Sequence, residues 1–423
     1  ELRPFFGSLS QNRTILVKMA FRNILKQKRR TFFTLFSMVV GFILLSISYG
    51  FNDGGYANII KAFTKARTGH IQIHKKGYLE KPGLYSNFVW DDKFIKTVSS
   101  IDSIESFTPR IHSGGLAFLD KKTTAVQIKG IDPKREAETT LIDRKIESGS
   151  YLSASKDVRY EAVVTRSLAD ILNLKTGDDL IVISSGADGS IANDRFKVIG
   201  IFSKDLDSLY SNAVFVPLNT TQEFLVLDGK IHEVAVMINN YKNSFDDSMK
   251  ISGIIKSAGI RNISVEPWEI VEEQFFKSMN ADKEGTVLVV IIIMLVVGVG
   301  VLNTVLMSIL ERMREYGVMK AMGTTPSFIF FSIVIETFLM SLFASAAGLG
   351  LSLLANWPFK VYGISYPEPV SIGGIFIETI NSEYVAIAFY LPVIVIMVSS
   401  VVASIVPAYK AASAEPVKSM RSY

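Results

Sequence analysis

The 423-residue sequence has no cysteine and only four histidines, His70, His74, His112 and His232. Disulfides, cysteine-ligated zinc, iron–sulfur clusters and thiol catalysis are thereby excluded. His70 and His74 would share one side of an extended segment, but no acidic cluster completes a ligand set, so they read as ordinary polar strand residues and no metal is expected. Three catalytic signatures are missing as well. There is no G-x-x-x-x-G-K-[ST] to cradle nucleotide phosphates, no H-E-x-x-H and no G-x-S-x-G. The chain reads as carrying no catalytic chemistry or cofactor of its own. Charge is sparse too: 20% of residues are charged and 48% hydrophobic, with a net charge of +5. Soluble domains carry about 25% charge. So apolar a chain is not disordered, and so small an excess of base makes no case for nucleic acid.

The apolar residues are concentrated in four runs. Thr31–Phe51 (TFFTLFSMVVGFILLSISYGF) and Gly285–Leu310 (GTVLVVIIIMLVVGVGVLNTVLMSIL) hold no charge, 327–355 holds only Glu336, and 384–409 holds none. At about 1.5 Å of rise per residue, some 20 apolar residues cross a hydrocarbon core of about 30 Å. Four transmembrane helices are expected, at 31–51, 285–310, 327–355 and 384–409. The first run is too long for a signal-peptide core and lacks a prompt small-x-small site, so it reads as a retained helix.

Basic residues orient the spans. The arm 1–30 carries Arg3, Arg13, Lys18, Arg22, Lys26, Lys28, Arg29 and Arg30. The 311–326 loop carries Arg312, Arg314 and Lys320, and the tail 410–423 carries Lys410, Lys418 and Arg421. The 356–383 loop has Lys360 against Glu368, Glu378 and Glu383. Both termini and the 311–326 loop are therefore expected inside, with 52–283 and 356–383 outside. Within Thr14–Arg30, Ile15, Met19, Ile24 and Leu25 can share a helical face opposite Lys and Arg, as in an interfacial helix on membrane lipid or a plain basic anchor.

The outside segment 52–283 alternates like strands at His70–His74, Thr124–Lys129, Leu180–Ile183, Phe196–Ile201, Asn212–Val216 and Glu233–Ile238. Helical periods fall at Gly55–Lys65, Asp91–Ser99, Thr165–Leu172, Thr220–Leu227, Asp246–Ala258 and Trp268–Met279. An α+β domain between the first two spans is expected, with Tyr56–Lys65 and Trp268–Met279 as stalks. In Ile309–Ser327 (ILERMREYGVMKAMGTTPS), Met313, Tyr316, Met319 and Met322 give an apolar stripe between charges. Either a short amphipathic helix open to a partner or a solvated turn fits that pattern. Glu336 is a carboxylate inside a span, where charge is costly. A structural hydrogen bond, a gating role and transport chemistry all remain open for it.

Asn303–Glu336 (NTVLMSILERMREYGVMKAMGTTPSFIFFSIVIE) and Ile405–Arg421 (IVPAYKAASAEPVKSMR) resemble the permease motifs of the FtsX/MacB/LolC–LolE superfamily, the type VII ABC transporter permeases. Glu161–Leu180 (EAVVTRSLADILNLKTGDDL) and Val198–Phe202 are similar to the MacB periplasmic core domain. RNILKQKRRTFFTLFSMVVG and TGHIQIHKKGY lean towards the lipoprotein-releasing LolC/LolE branch. The resemblance implies a permease in the bacterial inner membrane with a periplasmic outside domain. It would pair with a second copy or a paralogue and couple to a cytoplasmic ABC ATPase dimer that holds ATP and Mg. The 311–326 loop would be the coupling helix, with Glu311, Arg312, Arg314, Glu315, Gly317, Lys320 and Gly323 matching the family pattern and Glu336 matching its span carboxylate. ATPase closure would reshape the outside domain by mechanotransmission. The implied cargo is lipoprotein or lipid-linked, passed to a periplasmic carrier. The alternatives are MacB-like efflux through an adaptor and an FtsX-like transducer controlling a cell-wall hydrolase. Met38, Phe42, Ser46, Val289, Ile293 and Val297 would line an apolar cargo cavity, or would serve lipid contact or dimer packing.

Overall fold

The computed structural model describes residues 13–26, 28–155, 160–372 and 375–414. Arg3, Lys418, Arg421 and the closing motif beyond residue 414 lie outside the described residues, as do the side chains of Ile15 and Leu25. The chain divides into two compact units. One comprises the spans, and the other comprises 57–279 with 366–378.

In the spanning unit four helices are long and apolar enough to cross a membrane. They are Lys28–Phe63, Glu273–Glu311, Pro326–Val361 and Ile387–Ser413. Apolar residues run all round them, as lipid-facing helices require. Phe32, Phe33, Leu295 and Val296 are each more than 60% exposed in the isolated chain. Met38, Phe42, Val297, Val301, Ile333 and Ile396 pack on their inner sides. Gly348 decides one close approach, since a Cβ there would stand 2.6 Å from Phe42 Cγ. Asn356 is paired twice inside this core, where hydrocarbon would not replace a lost partner. Asn356 Nδ2 donates to Ser46 Oγ at 3.1 Å, and Ser382 Oγ donates to Asn356 Oδ1 at 3.2 Å. Pro326 occupies the start of its helix, where a missing N–H costs nothing.

The arm forms a helix, Arg13–Lys26. Ala20 and Ile24 are buried while Lys18 and Arg22 are exposed. Phe21 meets Phe343 of the third span at 6.2 Å between ring centres. The helix thus packs on protein, which its basic composition did not foretell. The 356–383 loop contains a hairpin, Ile364–Ile372 with Ile375–Ile380.

The outside unit is α/β, built on a ten-stranded mixed sheet. Its order is Ile263–Pro267, Ile71–Lys75, Glu233–Ile238, Ile104–Leu119, Lys122–Ile131, Ala213–Pro217, Glu161–Val164, Ile191–Phe202 and Ile146–Gly149. Asp179–Ser185 pairs with both Ile104–Leu119 and Ile191–Phe202. Two pairings are parallel, Lys122–Ile131 with Ala213–Pro217 and Glu161–Val164 with Ile191–Phe202. Phe94, Ile111, Phe196, Val198, Val234 and Val236 lie in one apolar core. Burying such side chains stabilises by roughly 1.5–3 kcal/mol each. After Phe63 the backbone opens into a wide turn, Thr64–Thr68, closed by Gly69 N–H donating to Thr64 O at 2.7 Å. Phe63 stacks on Phe275 at 5.0 Å between ring centres.

Candidate functional site

The helix Glu273–Glu311 stops at Arg312, whose backbone leaves helical geometry at φ −108° and ψ 10°. A second helix, Met313–Ala321, follows at once. It ends in a Schellman turn: Thr324 N–H donates to Met319 O and Gly323 N–H to Lys320 O, both at 3.0 Å. Gly323 sits at φ +93°, a region where a side chain is strained. The short helix is therefore bounded by a break and by a glycine turn.

It is also tied at both ends. Arg312 Nη1 donates to Glu336 Oε2 at 3.2 Å, and Arg312 Nε donates to Glu315 Oε2 at the same distance. The guanidinium lies 5.3 Å from the ring centre of the buried Tyr316. Asn23 Nδ2 of the arm helix donates to the same Glu336 oxygen at 3.3 Å. At the far end Lys320 Nζ donates to Ala414 O at 2.7 Å. Thr34, Thr304, Ser308 and Thr337 line a small polar crevice beneath, with Tyr316 and Glu336.

The sequence-derived residues divide accordingly. Arg312, Lys320 and Glu336 point inward to partners, Gly317 is buried, and Glu311, Arg314 and Glu315 face outward. Of the apolar stripe, Tyr316 is buried and Met313 and Met319 pack against the span core. Met322 lies past the helix end and is 75% exposed, and Val318 beside it is 47% exposed. Asn23 was missed. Its one signal is a neutral amide inside an otherwise basic arm. Of the cavity candidates, Met38, Phe42, Ser46 and Val297 are fully or almost fully buried in packing, Ile293 is half-buried and Val289 is 39% exposed.

The outside unit holds a second charged cluster that sequence reasoning missed. Arg110 donates from Nη2 to Glu136 Oε1 at 2.7 Å, from Nε to Glu136 Oε2 at 3.1 Å, and from Nη1 to Glu233 Oε1 at 3.0 Å. It also donates to Arg67 O. His112 Nε2 and Glu233 Oε2 are 3.0 Å apart, and Lys129 Nζ lies 3.1 Å from His112 Nδ1. Burial lowers the His112 pKa to about 4, with Lys129 adding to the shift. The neutral ring therefore donates from Nε2 to Glu233 and accepts at Nδ1 from Lys129. Burial would raise the Glu233 carboxyl, but His112 and Arg110 overcome it and hold it well below the usual range. His70 and His74 are buried against Ile238 backbone and Gln72 Oε1 respectively. Among the described residues no three acidic or histidine side chains converge on a metal-sized site.

Comparison with known proteins matches residues 31–250 to the MacB-like periplasmic core domain and residues 287–416 to the FtsX-like permease C-terminal domain. A macrolide export ATP-binding/permease protein MacB of Campylobacter jejuni is 21% identical over 385 residues, covering 88% of this chain and 58% of its own length. The chain thus spans little more than half of that relative. An uncharacterized ABC transporter permease of Methanocaldococcus jannaschii is 22% identical over 352 residues, covering 80% of this chain and 83% of that one. The periplasmic region of MacB from Actinobacillus actinomycetemcomitans, a solved structure, is 17% identical with a TM-score of 0.38, covering 50% of this chain and 94% of that one. Two family domains, one over the first span and most of the outside unit and one over the last three spans, account for most of the sequence. The chain belongs to the MacB/FtsX family of ABC transporter permeases and is a multi-pass membrane protein.

Proposed function

We propose that a partner ABC ATPase docks on the Met313–Ala321 helix and that its closure drives the outside domain by mechanotransmission. The observation that carries this reading is the anchoring of that helix. Arg312 joins it to Glu336 of the third span, and Lys320 joins it to the end of the fourth. A docking element has to pass a push into the spans without yielding. Its outward face offers Arg314 and Glu315 for charge pairing and Val318 and Met322 for apolar contact. ATP and Mg belong to the ATPase in this reading. The chain lies in the bacterial inner membrane, termini inside and the 52–283 domain periplasmic, and acts as a dimer with a second copy or a paralogue.

For the cargo we infer lipoprotein extracted from the membrane and passed to a periplasmic carrier. The arm and TGHIQIHKKGY motifs support that choice. Acyl chains would enter beside Met38, Phe42, Ser46, Val289, Ile293 and Val297, after Phe42 leaves its seat on Gly348. A second reading, efflux through an adaptor, is favoured by relatives that are named as macrolide exporters. The length of the outside segment speaks against an FtsX-like transducer.

Charge reversal of the outward pair, Arg314→Glu with Glu315→Arg, is expected to abolish stimulated ATPase turnover and leave membrane insertion intact. Normal coupled turnover would overturn the docking assignment. Mass spectrometry of the complex in mild detergent separates the cargo readings. Triacylated lipoproteins beside the ATPase support extraction, and an adaptor without lipoproteins supports efflux.

A further inference from the structure

The outside unit carries an open cleft of about 680 Å³ lined by the charged cluster. That volume falls in the range of small-molecule sites, roughly 300–1,000 Å³. Its lining includes the apolar bodies of Tyr78, Leu79, Pro82 and Leu84. It also includes Arg67, Arg110 and Lys129 with two carboxylates, Glu233 and Glu272. Those carboxylates are already engaged. Glu233 is shared between Arg110 and His112, and Glu272 lies 3.6 Å from Arg67. Arg110 is saturated by Glu136 and Glu233.

Lys129 differs. Among the described residues its hydrogen-bond partner is the neutral His112 ring, and its Nζ stands 4.8 Å from the ring centre of Tyr210. Its other N–H groups meet no carboxylate directly among the described residues, although Glu233 and Glu136 stand in its wider neighbourhood together with Arg110 and Arg67. An ammonium partly withdrawn from water and lacking a direct carboxylate partner is under-compensated. Burial, with Arg110 and Arg67 adding to it, outweighs Glu233 and Glu136 and lowers the Lys129 pKa to about 8. Gln127 stands two residues away on the same strand and also lines the cavity. It adds an amide donor beside the amine.

We propose that this cavity is a binding site for a small amphipathic organic anion, with its carboxylate on Lys129 and its apolar body against Tyr78, Pro82 and Leu84. The anion supplies the direct ion-pair contact that Lys129 lacks, and the apolar residues of the lining explain why an amphipathic molecule fits better than an inorganic ion. The inference does not depend on which cargo the transporter moves.

The test uses the full chain in lipid nanodiscs and three probes that share one apolar body: phenylacetate, phenylacetamide and phenethylamine. Trace reductive methylation with formaldehyde, followed by peptide mass spectrometry, reads the reactivity of each lysine. Phenylacetate is expected to slow methylation of Lys129 at least about threefold and to leave exposed lysines such as Lys121 and Lys122 unchanged, with the amide and the amine without effect. In saturation-transfer NMR, phenylacetate should show contact with the wild type and with Lys129→Arg, and lose it with Lys129→Gln. The methylation arm needs no variant, so misfolding of Lys129→Gln cannot mask the outcome. Equal protection by phenylacetamide, protection by phenethylamine, or no protection at all would overturn the proposal.

Discussion

Replacing Glu336 by Gln keeps the shape of the side chain and an acceptor oxygen while removing the charge. Arg312 Nη1 lies 3.2 Å from Glu336 Oε2, and the two side chains are 13% and 12% exposed. At that separation and an effective dielectric near 20, two unit charges attract by about 5 kcal/mol. The neutral amide retains about 1 kcal/mol of hydrogen bonding. Arg312 also keeps Glu315, but that side chain is 60% exposed, so solvent screens the contact. A net loss of about 2–4 kcal/mol follows, near the roughly 3–5 kcal/mol seen when one partner of a buried pair is removed. At about 2–4 °C per kcal/mol for a unit of this size, the midpoint for thermal unfolding of the full chain in nanodiscs should fall by roughly 5–15 °C. Arg312→Gln should cost a similar amount. The double variant should cost no more than the worse single one, giving a coupling energy of about 2 kcal/mol or more. With the partner ATPase present, all three variants should bind it yet stimulate turnover less. Coupling below about 0.5 kcal/mol in the cycle would show that the two residues act independently and would refute the anchoring argument.

Gly323→Ala forces a side chain into φ +93° at a cost of about 1–2 kcal/mol; stimulated ATPase turnover should drop several-fold, and an unchanged rate would mean that the turn geometry is idle. Gly348→Ala puts a methyl 2.6 Å from Phe42 Cγ; it should lower the thermal midpoint through about 1–3 kcal/mol of overpacking, with partial rescue by Phe42→Leu. The outside domain should weaken in acid. His70 and His112 are both lowered from 6.5 to about 4 by burial first. The unfolded chain therefore binds more protons between those values, and stability is full above pH 6.5 and lost as pH falls towards 4. Each ring contributes at most about 3 kcal/mol. The urea midpoint of tryptophan fluorescence reports this loss, and His112→Gln should flatten the acid limb; an identical limb in that variant would exclude the contribution of His112.

Segments with strong periodicity were legible in the sequence. The four apolar runs became long helices, and the alternations at Glu233–Ile238 and Phe196–Ile201 became strands at those positions. Ile104–Leu119 was not legible, because Pro109 and the pair Gly114-Gly115 read as turn signals. Its register supplies the reason it is a strand. Pro109 sits opposite Val234 and Gly115 opposite Val126, within two antiparallel ladders. The 364–380 hairpin was hidden in the same way by Pro367 and Pro369. Local propensity weighs less than one kcal/mol or so per residue, and pairing across a sheet overrides it.

Both charged clusters stayed hidden for a related reason. Arg110 and Glu233 are 123 residues apart and meet because the register sets them directly opposite each other. Glu136 arrives from the helix Pro133–Thr140, 26 residues beyond Arg110. Read along the chain, each of these charges looks like one solvated position on an alternating strand or a polar helix. Arg312 and Glu336 are likewise separated by 24 residues, and Asn23 lies 313 residues from the carboxylate it serves. A sequence motif could mark Arg312 and Glu336 as members of one pattern, but it carried no information that they touch. What decides their role is desolvation. A lone carboxylate in a span would be costly, whereas one that accepts from Arg312 and Asn23 at once is compensated and fixes the start of the loop helix against the third span. We therefore propose that the intramembrane carboxylate serves as an anchor, as its bonds to Arg312 and Asn23 suggest.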